Sequence, residues 1–163
     1  MDDVSISEKG STDELLQMVV FQLGGEEFGV EIMKVQEIIR MPEITQIPQS
    51  PEFVEGVINL RGRIIVVINL DKRFNLVSKE EDEHSRIIVV EIGDHVVGMI
   101  VDSVNEVLRI PASSVDPAPE LVMSNVSKEY ITGVGKMDDR LLILLDLGKV
   151  MGKKEVDDIA KLA

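Results

Sequence analysis

With 163 residues, 44% of them hydrophobic, the chain can bury the core of one domain or two small ones, and no apolar run in it approaches the ~18–20 residues that a membrane-spanning helix needs. Seventeen basic residues against 30 acidic ones leave a net charge of −13, which repels nucleic-acid phosphates and anionic lipid surfaces, and one Tyr with four Phe is too small a set for a base-stacking platform. Cysteine is absent, so there is neither a disulfide framework nor thiol chemistry, and a cytoplasmic location is expected.

Residues 1–15 read as a flexible, polar, acidic tail without the apolar core of a signal peptide. From Leu16 the pattern turns to strand, with Met18-Val19-Val20-Phe21-Gln22-Leu23 closed by Gly24-Gly25. Glu26 to Val30 begins a second strand. The apolar spacing of Ile32, Val35, Ile38 and Ile39 fits either a helical turn or a twisted strand entered through a short turn. Pro42, Pro48 and Pro51 then punctuate a loop. Next comes a strand starting at Gly56, a tight Asn59-Leu60-Arg61-Gly62 turn, and a longer apolar strand. The run from Ile64 to Ile68 has no polar residue on either face, which predicts cover on both sides, as in a closed barrel or sandwich. Arg61 is then a lone guanidinium at the tip of an apolar hairpin. Ser78 to Ser85, with Lys79-Glu80-Glu81-Asp82-Glu83-His84 inside it, reads as a solvated linker.

The second half repeats the first. At a shift of 69, Gly24 falls on Gly93, Gly29 on Gly98, Val35 on Val104, Glu37 on Glu106, Ile38 on Val107 and Arg40 on Arg109. After an insertion of eight the shift is 77: Phe53 falls on Tyr130, Gly56 on Gly133, Arg63 on Arg140, and Ile64 to Ile68 on Leu141 to Leu145. Two copies of about 55–65 residues, built from short apolar runs between Gly and Pro, predict two small barrels of some five strands each. A barrel of that size buries little alone, so the halves are expected to share a core. The hairpin tips differ, Asn59-Leu60-Arg61-Gly62 against Lys136-Met137-Asp138-Asp139, which directs attention to the first tip. Val156, Ile159 and Leu162 end the chain at helical spacing.

Catalytic and metal signatures are missing. His84 and His95 fall in the acidic linker and at an expected turn, without a second ligand at metal spacing, and no phosphate-binding loop or nucleophile elbow occurs. Asp71, Asp102 and Asp146 follow apolar runs, where strand-end turns account for them better than a carboxylate set. Glu37 sits among Val35, Ile38 and Ile39, so it needs a partner, and the planar fork of Arg61 suits a carboxylate. That pair either orients the hairpin or shapes a groove for a protein partner. Ile32 and Val35 read as core somewhat more readily than as groove lining, and Met33 and Met41 equally as adaptable surface or gap fillers.

Glu27-Phe28-Gly29-Val30-Glu31-Ile32, Val35-Gln36-Glu37-Ile38 and Pro51 to Gly62 resemble the CheW family of chemotaxis coupling proteins, as do Val97 to Asp102, Val104 to Leu108 and Tyr130 to Val134. The likeness runs from about Leu16 to Met151. It implies an all-β fold of two five-stranded SH3-like barrels on a shared core, with a short C-terminal helix. Residues 16–152 are then one domain, with subdomains at about 16–76 and 86–150 and a helix or tail over 153–163. It further implies a non-catalytic, cofactor-free adaptor between the cytoplasmic tips of transmembrane chemoreceptors and the regulatory domain of the histidine kinase CheA. Such an adaptor is cytoplasmic, recruited to membrane arrays without inserting. Carried onto matching positions, the receptor groove involves Ile32, Val35, Glu37, Gly56, Arg61 and Gly98, and the kinase contact lies near Arg40, Met41 and Ile44. The chain stops soon after the second repeat, which favours a free-standing adaptor over a kinase module or a receiver fusion. A paralogous adaptor serving a non-flagellar array and a small-ligand barrel are the alternatives.

Overall fold

A computed structural model describes residues 14–77, 80–117 and 126–162. The expected tail over residues 1–15 lies outside them except for Glu14 and Leu15, and Leu15 is already the first residue of strand β1. In chain order the strands are β1 (Leu15–Leu23), β2 (Glu26–Glu31), β3 (Val35–Arg40), β4 (Val54–Leu60), β5 (Arg63–Asn69), β6 (Arg86–Ile92), β7 (His95–Val101), β8 (Ser103–Pro111), β9 (Val115–Asp116), β10 (Ile131–Met137) and β11 (Arg140–Leu145). Three short helices follow their strands: α1 (Leu70–Arg73), α2 (Leu147–Val150) and α3 (Lys153–Ala160). Of the two readings of residues 31–39, the strand entered through a short turn is the one formed: a 3-10 turn over Ile32–Lys34 leads into β3.

The strands form two sheets, β3-β6-β7-β5-β4 and β8-β1-β2-β11-β10-β9, each curled into a small barrel. The barrels are not the two halves of the sequence. The hairpin β1–β2 sits in the barrel otherwise built by β8 to β11, where β2 runs parallel to β11. The equivalent hairpin β6–β7 completes the barrel of β3 to β5, where β7 runs parallel to β5. The division at about 76–86 therefore falls inside one barrel, between β5 and β6. Each repeat lends its first hairpin to the other, and since the two copies carry the same apolar pattern, that pattern does not say which partner a hairpin takes.

The exchange explains the runs without a polar face. Along β5, Ile65 and Val67 point into the first barrel, while Val66 and Ile68 join the core shared with the second. On β1, Met18 and Val20 fill the second barrel, and Val19, Phe21 and Leu23 face the shared core. Two-residue periodicity persists, but both of its faces are apolar because both are covered. Cover ends at the hairpin tips: Ile64 is 62% exposed and its repeat equivalent Leu141 57%, so the expected burial of the run begins at Ile65. Through the shared core run stacked rings, Phe21 on Phe28 at 5.9 Å, Phe28 on Phe74 at 6.5 Å and Phe74 against Tyr130 at 5.0 Å.

Helix α3 closes this core, burying Val156 and Ile159, while Leu162 lies past its end and is exposed. Its first turn is capped by Glu155, which accepts from the Gly152 amide at 3.1 Å. Arg73 fastens it: Nε donates to the Val150 carbonyl at 2.7 Å and Nη2 to Glu155 at 3.0 Å, with the guanidinium 4.6 Å from the centre of the Phe53 ring. His95, the first residue of β7, pairs through Nε2 with Asp157 of the same helix.

Candidate functional site

The β4–β5 hairpin pairs Leu60 with Arg63, leaving Arg61 and Gly62 as a two-residue loop. Both have positive φ, +52° and +86°, the signature of the turn whose twist matches that of the flanking strands. Asn59 stabilises it, its Oδ1 accepting from the Gly62 amide at 2.8 Å. Positive φ thus falls on Arg61 and Gly62, whereas Asn59 stays in the strand and contributes its side chain. A non-glycine residue tolerates this conformation only at some cost, so the tip presents its guanidinium from a constrained backbone.

Arg61 meets Glu37 of β3 in the two-pronged pairing that the residue types suggest. Nη1 donates to Oε1 at 3.3 Å and Nη2 donates to Oε2. The Arg61 hydrogen bond, with its positive charge, holds the Glu37 carboxyl below the ordinary carboxylate range. The pair is not buried: the Arg61 side chain is 71% exposed and that of Glu37 28%. A pair with one side chain this exposed contributes little to stability.

What the pair spans is the seam of the first barrel. Strands β3 and β4 end the sheet order and are not hydrogen-bonded to each other. An isolated bridge between Thr45 and Val57 closes one part of the seam, and Glu37–Arg61 clasps another. The second barrel has the corresponding arrangement. There β9 pairs with β10, and Arg140 reaches Glu106 at 2.9 Å and Glu27 at 2.8 Å. Glu106 is the repeat equivalent of Glu37, but its cation comes from the first strand position of β11 rather than from the turn. Hydrogen bonds from Arg140 hold the Glu27 carboxyl below its ordinary value.

The other expected receptor-groove residues divide in two. Ile32, on the 3-10 turn, and Val35, at the start of β3, are half-buried against the shared core. Gly56 and Gly98 are buried. A Cβ on Gly56 would lie 2.0 Å from the Thr45 carbonyl oxygen, and one on Gly98 2.8 Å from Ile87 inside the first barrel. Both positions demand glycine for close packing. Arg40 is exposed at the far end of β3, and Met41 and Ile44 are half-buried against the interior cluster of the first barrel.

Sequence reasoning missed part of this surface. Ile38 is 39% exposed on the outer face of β3, and its equivalent Val107 on β8 is 51% exposed. Val104, equivalent to Val35, is likewise half-buried against the shared core. The repeat register carried this signal. Two of the three aspartates are accounted for by turns and caps, Asp102 accepting from the Gly24 amide at 3.0 Å and Asp146 capping α2, while Asp71 lies buried in α1. An open cleft of about 410 Å³ between Lys34, Glu91 and Gly148 has no His, Cys or Ser among the described residues that line it. Among the described residues no cluster of three metal-ligating side chains occurs, and no helix is long and apolar enough to cross a membrane.

A family model described as the CheW-like domain matches residues 17–155. The chain is 40% identical to the chemotaxis protein CheW of Klebsiella aerogenes over 148 residues, covering 89% of each chain. It is 37% identical to that of Treponema pallidum over 154 residues, covering 92% of this chain and 90% of the relative. Among solved structures, the scaffolding protein TtCheW of Thermoanaerobacter tengcongensis superposes with a TM-score of 0.80 at 39% identity, over 86% of this chain and 95% of that one.

Proposed function

The chain belongs to the CheW-like domain family and is a non-catalytic adaptor of chemotaxis signalling, and from that premise we propose that it couples the cytoplasmic tips of chemoreceptors to the regulatory domain of the histidine kinase CheA. The observation that carries the reading is a half-exposed apolar rim beside a clasped seam. Ile32 and Val35 supply it from the first barrel, and Val104 supplies the repeat-equivalent position on the second. Aliphatic side chains at such a rim suit the apolar stripe of a helical hairpin. The Glu37–Arg61 pair offers donors and acceptors next to it. Gly56 and Gly98 serve this surface from beneath, by letting the strands approach.

In this reading Arg40, Met41 and Ile44 meet the kinase. Val35 and Arg40 are the two ends of β3, five residues apart, a span of about 16 Å at the rise of a strand. One strand therefore links the receptor contact to the kinase contact. The adaptor does no chemistry. It transmits a receptor movement only so far as its contacts to either partner differ in free energy between signalling states. The cytoplasmic face of a receptor array is where such a chain works.

Calorimetric titration of the chain with a receptor cytoplasmic fragment, and separately with the kinase regulatory domain, tests this. Saturable binding to both is expected. Val35→Met is expected to weaken the receptor titration and leave the kinase titration unchanged; equal loss of both contradicts separate surfaces. Binding of the folded chain to neither partner refutes the coupling role.

A further inference from the structure

Strands β3 and β6 end with Arg40 directly opposite Arg86. Side chains so paired have Cβ atoms roughly 5 Å apart, and two like charges in that position repel. The chain has carboxylates in excess, with a net charge of −13, yet neither guanidinium pairs with one among the described residues. Arg86 is held by backbone alone, Nη1 donating to the carbonyls of Glu83 and Ser85, each at 2.8 Å. Among the described residues its Nε and Nη2 make no such bond, and the Arg40 guanidinium makes none. The second barrel lacks this doubling: the equivalent cross-strand pair is Gln17 opposite Arg109. Ile38, two residues before Arg40 on the same outward face, adds an exposed aliphatic patch.

We propose that Arg40 and Arg86 form a two-arginine seat for a carboxylate, and that the partner docking at this end of the first barrel presents an acidic side chain next to an aliphatic one. The inference rests on the kinase-contact reading and adds the chemistry of the contact. Two guanidiniums side by side repel in the free protein, and a shared carboxylate turns that repulsion into charge-assisted hydrogen bonds. Charge complementarity commits the occupant: the seat is cationic on an acidic protein and selects an acidic segment of the kinase regulatory domain.

The test is the kinase-domain titration repeated with Arg40→Gln and Arg86→Gln, at low and high salt, with the receptor fragment as control. Each variant is expected to bind the kinase domain about tenfold more weakly, the size of one lost charge-assisted hydrogen bond, with a smaller salt dependence and unchanged receptor binding. Arg40→Gln removes no side-chain bond to the described residues, so its melting temperature is expected at or above that of the unaltered protein. Kinase binding and salt dependence unchanged in both variants overturn the seat and leave the coupling role standing. If the unaltered, folded chain does not bind the kinase domain, the coupling role fails and the seat with it. If the substitutions instead abolish self-association seen by sedimentation, the occupant is a second copy and the proposal is overturned.

Discussion

Gly56→Ala separates the packing role of this glycine from the contact role that its place in the receptor motif suggests. Gly56 has φ +147° and lies where a Cβ would sit 2.0 Å from the Thr45 carbonyl oxygen and 2.7 Å from its carbon. The backbone must move, and what it moves is the Thr45–Val57 bridge, with N–H···O distances of 2.9 and 2.8 Å. Losing both bonds costs about 1 kcal/mol each, and the strained conformation adds about 1–3 kcal/mol for a residue with a side chain. The sum is roughly 3–5 kcal/mol, which in a domain of this length lowers the melting temperature by about 6–20 °C. Gly62→Ala is the control: φ is +86° but no atom lies within 4 Å of its Cβ, so only the conformational cost remains. Thermal melts of both variants by circular dichroism, with receptor-fragment binding measured well below each transition, decide the matter. Gly56→Ala should melt well below Gly62→Ala and bind normally while folded. A Gly56→Ala protein that melts no lower than Gly62→Ala, or that is fully folded and has lost receptor binding, refutes the packing argument.

Arg61→Ala removes an exposed pair, so its melting temperature should match that of the unaltered protein while receptor-fragment binding weakens; a variant that unfolds makes Arg61 structural. Folding lowers the carboxyl pKa of Glu27 and Glu37 below 4.5, so the stability these clasps contribute is complete above that pH and is lost as pH falls through the folded values. Urea midpoints between pH 7 and 3 should therefore fall less steeply for Arg140→Ala than for the unaltered chain, and parallel slopes would remove the clasp from the acid response. Arg73→Met takes away two hydrogen bonds and the contact with Phe53, and should cost about 1–3 kcal/mol. Its amide exchange should rise first in α3, and a uniform rise across all strands would contradict a local fastening.

The repeat, the hairpin and the Glu37–Arg61 partnership were legible because each depends on residue type and short spacing. A glutamate among β-branched neighbours needs a cation, and an arginine at a hairpin tip can supply it. Whether that pair is wet or dry depends on how far the seam opens, which spacing does not encode. Gly56 and Gly98 were ambiguous for a different reason: a glycine in a motif looks the same whether a partner or a neighbouring strand approaches it. Arg73 left no local signal at all. Its partners Val150 and Glu155 lie 77 and 82 residues away and are brought to it by the docking of α3.

The hairpin exchange was the largest feature hidden from the sequence, and it bears on how the adaptor transmits a signal. Two barrels joined by a linker can reorient, and a receptor movement could then reach the kinase as a change of angle within the adaptor. Here the chain crosses between barrels from β2 to β3 and again from β7 to β8, each time through three residues or fewer. Separating the barrels would expose the shared core, in which Phe21, Phe28, Ile68, Met99 and Val150 are fully buried. Exposing one large aliphatic or aromatic side chain costs about 1.5–3 kcal/mol, so parting even a few exceeds any coupling energy of about 1–3 kcal/mol that an allosteric contact supplies. The two barrels therefore move as one body. What a receptor alters, in the coupling role proposed here, is the position of that body against the kinase, or the small surface clasps at its seams, and not the angle between its halves.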